Sequence, residues 1–70
     1  MKKIGIVCDN YKVEKFKQSL KEKYPTLEVT THVFSKQNKL TLIKFSLLPS
    51  EIDEVRKICT VCEIEFGQSN

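Results

Sequence analysis

What most restricts the fold of this chain is the way its hydrophobic period changes along its length. Apolar residues recur at every second position over residues 2–8, 27–34, 40–47 and 62–66, and at every third or fourth over residues 13–24 and 52–59. A period of two marks a strand with two distinct faces, and a period near 3.6 marks a helix with one apolar stripe. The order is therefore strand, helix, strand, strand, helix, strand. Only two glycines and two prolines interrupt these runs.

The first strand is predicted over residues 2–8, with Ile4, Ile6 and Cys8 on one face and Lys3, Gly5 and Val7 on the other. Asp9 and Asn10 offer N-cap chemistry for a helix from about Asn10 to Lys23. Its stripe is Val13, Phe16, Leu20 and Tyr24, with Lys12, Lys15, Lys17, Lys21 and Lys23 off it. Tyr24-Pro25 ends the helix, because a residue before proline avoids helical dihedrals. The β-branched alternation from Leu27 to Phe34 predicts a second strand, Ser35–Asn38 a hairpin loop, and residues 40–47 a third strand antiparallel to the second. Ser50 is the predicted cap of a second helix whose buried stripe is Ile52, Val55, Ile58 and Cys59. After Thr60, the alternation of Cys62, Ile64 and Phe66 predicts a fourth strand, and residues 67–70 a polar tail.

Two strand-helix-strand units joined by a hairpin form the split β-α-β, or ferredoxin-like, arrangement. It is an α+β sandwich, β-α-β-β-α-β, with both helices on one face of a four-stranded antiparallel sheet of order 4-1-3-2. The expected core is Ile4, Ile6, Cys8, Val13, Phe16, Leu20, Leu27, Val29, Val33, Ile43, Phe45, Leu47, Ile52, Val55, Ile58, Cys62, Ile64 and Phe66. Seventy residues suit one domain with an ordered part of about 2–66, and a domain this small gains from a partner subunit.

Composition narrows the function classes. At 40% hydrophobic and 30% charged the chain reads as globular. The apolar run at the amino terminus stops at Asp9 without a cleavage signal, and no stretch nears the ~20 apolar residues of a membrane span. Three cysteines do not suit a disulfide framework, so a reducing cytoplasm is the expected compartment. Residues 1–47 hold ten lysines against four acids, and residues 48–70 hold Arg56 and Lys57 against five. The halves thus carry +6 and −3, a dipole open to an acidic partner, nucleic acid or a second copy.

Candidate chemistry is sparse. Cys59 and Cys62 have Cys-x-x-Cys spacing, and Cys8 and His32 would complete a zinc set, but the expected topology puts His32 at the opposite end of the sheet. The cysteines therefore read as buried small hydrophobes, with no metal or other cofactor expected. Cys8, after a strand and before a helix, is placed like the active loop of phosphotransferase-system IIB domains or cysteine phosphatases. Residues 8–14 lack the glycines of the first and carry Glu14 where the second needs arginine, so no catalytic residue is assigned. RNA-recognition aromatics are missing from residues 39–45, and residues 9–12 lack the glycine usual in ACT-type regulatory domains. Metal-chaperone domains carry two cysteines in that first loop, and only Cys8 is near it.

The resulting expectation is a small non-enzymatic interaction module. It self-associates, or binds a protein partner, through an open sheet face carrying Val7, His32, Phe34, Leu40 and Leu42. The alternative is a weak nucleic-acid binder using the basic first helix together with His32 and Phe34 for stacking.

Overall fold

The computed structural model describes residues 1–67, and Gln68, Ser69 and Asn70 of the expected polar tail lie outside the described residues. Strand β1 (Lys2–Asp9) leads through a 3-10 turn at Asn10–Lys12 into α1 (Val13–Lys23). An irregular connection then reaches the hairpin of β2 (Thr30–Ser35) and β3 (Leu40–Leu47), and a second 3-10 turn at Pro49–Glu51 enters α2 (Ile52–Val61). The sheet is antiparallel, ordered β1-β3-β2.

This corrects the expected four-stranded β-α-β-β-α-β sheet: among the described residues there are three strands and two α-helices. The segment taken for a fourth strand is spent differently. α2 runs on to Val61, and the chain leaves it through a Schellman turn, in which the Ile64 N–H donates to the Cys59 carbonyl at 2.8 Å and the Glu63 N–H to that of Thr60 at 3.1 Å. Glu63 takes the left-handed position of that turn, with φ of 57°. Lys12 Nζ donates to the Glu63 carbonyl at 2.8 Å, which ties the entry of α1 to the exit of α2. Cys62 and Ile64 are nevertheless buried and Phe66 is half-buried. The inside-outside alternation was thus real, but a helix end followed by a turn produces it here, without a ladder.

The core is one cluster on one face of the sheet. Ile4, Ile6 and Cys8 of β1 and Ile43, Phe45 and Leu47 of β3 meet Phe16 and Leu20 of α1 and Val55 and Cys59 of α2. Each of these side chains is at most 6% exposed. Phe16 and Phe45 pack as tilted rings 6.2 Å apart. Lys23 and Glu54 pair across the helices at 3.6 Å. Val13, Tyr24, Leu27, Val29, Ile52, Ile58 and Phe66 pack partly buried around this centre.

Three further expectations are corrected. Val33, assigned to the core, is 69% exposed. Leu27–Val29 is irregular, so β2 begins at Thr30. Neither Asp9 nor Ser50 caps a helix through its side chain: Asn10 Oδ1 accepts from the Thr41 hydroxyl, and Glu51 Oε1 accepts from the Leu48 N–H at 2.8 Å.

Candidate functional site

The antiparallel register places the candidate residues in rows across the sheet. Val7 pairs with Leu42, and Leu42 pairs with His32, so these three form one row on the face away from the helices. The next row joins Asp9, Leu40 and Ser35. Between Val33 and Ser35 the register slips, making Phe34 the extra residue of a β-bulge beside Leu40. On the other side of the central row, Gly5, Lys44 and Thr30 align. The face is thus a small apolar centre with Lys44 and Asp9 on its flanks.

These residues are not equivalent in exposure. Val7, Leu40 and Leu42 are half-buried by one another and by the strands, whereas His32 and Phe34 on β2 are exposed, Phe34 at 58%. β2 itself is exposed on both faces from Thr30 to Phe34, because the helices cover β1 and β3 and stop short of it.

The cysteines gather on the opposite face. Cys8, Cys59 and Cys62 are free and buried in the core, as their apolar patterning predicted. Burial chiefly, then the Asp9 carboxylate and Cys62, raise the thiol pKa of Cys8, and Lys12 offsets this only in part. Burial pushes Cys59 up to about 11, with Cys62 and Cys8 adding to it. These shifts favour the neutral thiol and so oppose nucleophilic chemistry at neutral pH. His32 is not at the opposite end of the sheet from the cysteines, as the expected topology had it: it lies one row from Cys8 along the sheet, but on the other face. Among the described residues, no three His, Cys, Asp or Glu side chains are grouped so as to hold a metal ion.

The surface also has open clefts. One of about 820 Å³ lies at the end of the sheet where β1 begins, between the Tyr24–Glu28 connection and Leu48, with Lys3, Lys23, Lys44, Glu28 and Glu51 on its walls. Burial, followed by the carboxylates of Glu51 and Glu54, raises the Tyr24 phenol pKa there. Another of about 570 Å³ runs between α1 and the connection, over Leu27 and Val29. Neither is lined by a histidine or a cysteine. Among the described residues, no helix is long and apolar enough to cross a membrane. Comparison with protein-family models, curated proteins and solved structures gave no match.

Proposed function

We propose that this chain is a small non-enzymatic interaction module that docks on protein, either a second copy or a different partner, through its open sheet face. The observation that carries the reading is the registered row Val7–Leu42–His32, with Leu40 and Phe34 beside it, on a sheet face without a helix layer. An apolar centre with polar flanks is the usual anatomy of a protein-binding patch. Three free cysteines agree with a reducing, cytoplasmic setting.

Two measurements test it. Self-association by the sheet face gives a parent heavier than a monomer at about tens of micromolar, and Leu42→Glu, which sets like charges together across the seam, returns it to monomer mass. A monomeric parent moves the face to a heterologous partner. The face as such is probed with an anilinonaphthalene sulfonate dye, which the parent should bind more strongly than Leu42→Gln. Equal binding would overturn the docking surface.

The nucleic-acid alternative has weaker support. α1 packs on the core face of the sheet and His32 lies on the open face, so the helix lysines and the stacking residues do not share one surface.

A further inference from the structure

We infer that two copies of this chain join edge to edge through β2, antiparallel about a two-fold axis, so that two three-stranded sheets become one of six. The inference goes beyond the interaction-module reading: it gives the second copy to the strand edge and leaves the open sheet face to a different partner. β2 is the last strand of the order β1-β3-β2, and among the described residues only β3 pairs with it. The N–H and C=O groups along its outer side therefore point away from the sheet and can form a second ladder. At the other edge, the chain after α2 already lies against β1, where Gly67 sits so close to the Gly5 carbonyl oxygen that no Cβ could be added.

The usual protections of an edge are thin here. Thr30–Ser35 contains no charged residue and no proline, and its one bulge falls at the last residues, leaving Thr30–Val33 in regular register. The helices leave both faces of the strand clear. A neighbouring strand can thus approach from the side, and it would shelter Val33 on one face and Phe34 on the other, at present 69% and 58% exposed.

Charge selects the occupant and its direction. Glu28 precedes β2, and Lys36 and Lys39 follow it. In an antiparallel pair Glu28 of each copy comes opposite Lys36 of the other, whereas a parallel pair would set Glu28 against Glu28 and Lys36 against Lys36. Matching Glu28 to Lys36 of the other copy centres the contact near His32 and brings Thr31 close to Val33 across the seam. Such isologous contact also supplies the buried area that a chain of 70 residues lacks.

The test uses the full chain and two double variants at exposed positions, Thr31→Lys with Val33→Lys, and Thr31→Glu with Val33→Glu, with circular dichroism to establish that each folds. The parent should approach twice its 8.1 kDa mass as concentration rises. Each variant alone should stay monomeric, and their equimolar mixture should recover the dimer. Dimers in the separate variants, a mixture that stays monomeric, or a parent that never dimerises would each overturn the inference. Leu42→Glu separates it from the sheet-face reading. Edge pairing predicts that this variant keeps the dimer. If Leu42→Glu removes it and the β2 variants do not, the contact is the sheet face, and the edge inference falls while the interaction reading stands. If the dye result overturns the docking surface while the β2 variants still lose the dimer, the reading falls and the edge contact stands alone.

Discussion

β2 and β3 are neighbours in one hairpin and share an alternating sequence, yet they have opposite fates. On β3 the inner residues Ile43, Phe45 and Leu47 are buried, whereas on β2 the same side of the sheet presents Thr31 and Val33 to solvent. No residue of β2 belongs to the core, and Val33 and Phe34 are exposed, while Cys62, Ile64 and Phe66, beyond α2, are part of the core or pack against it. The helix layer thus covers β1 and β3, and β2 overhangs it. Pairing into a sheet satisfies backbone groups, but burial depends on what lies above the strand. The first does not guarantee the second.

The largest effect expected from this contrast is in the core. Phe16→Ala should destabilise the fold by about 3–5 kcal/mol, a large part of the stability of a small domain, because it leaves a cavity against Phe45 under the helices. Urea unfolding checks this, and a midpoint close to that of the parent would break the comparison.

Alkali should also act on the covered side. The folded state holds the Cys59 pKa at about 11, above its ordinary 9.0, so folding favours the neutral thiol. Its contribution is therefore complete below about pH 9 and is lost as pH rises through about 11. Cys59→Ala should lower stability at neutral pH and flatten its decline between those values, measured as unfolding midpoint against pH.

Gly67→Ala forces a methyl group against the Gly5 carbonyl and should cost about 1–3 kcal/mol, or detach the tail from β1 as read by faster amide exchange of Ile64 and Phe66. Glu63→Gly should act in the opposite direction. It relieves a left-handed residue at the end of α2 and should add about 0.5–1 kcal/mol. The smallest effect belongs to β2: in the monomer, Thr31→Lys with Val33→Lys should shift stability by no more than about 0.5 kcal/mol per substitution. A loss of several kcal/mol there would mean that β2 is covered after all.

Most elements were legible because their patterns are local. The third strand was expected over residues 40–47 and is Leu40–Leu47, and the end of α1 at Lys23 follows from Tyr24-Pro25. The fourth strand was misread because a Schellman turn normally announces itself by glycine or asparagine, and here Glu63 stands in that place. The side chains that cap the helix entries were also misassigned, since Asn10 turns to Thr41 on a strand distant in sequence. Of the candidate site, alternation placed Val7, Leu40, Leu42, His32 and Phe34 on a common face. The row Val7–Leu42–His32 and the bulge at Phe34 depend on how the hairpin closes.

The sequence by itself determined the period of each element, and hence which side chains of a strand or helix share a face. Periodicity is a property of consecutive residues and needs no partner to be read. Only the tertiary structure decided which of those faces is covered. It centred the helices over β1 and β3, turned the chain after Val61 into a packed tail rather than a laddered strand, and left both sides of β2 to solvent. Coverage depends on where a helix layer of limited width settles, and that is decided by packing among residues far apart in the chain, which no local pattern encodes.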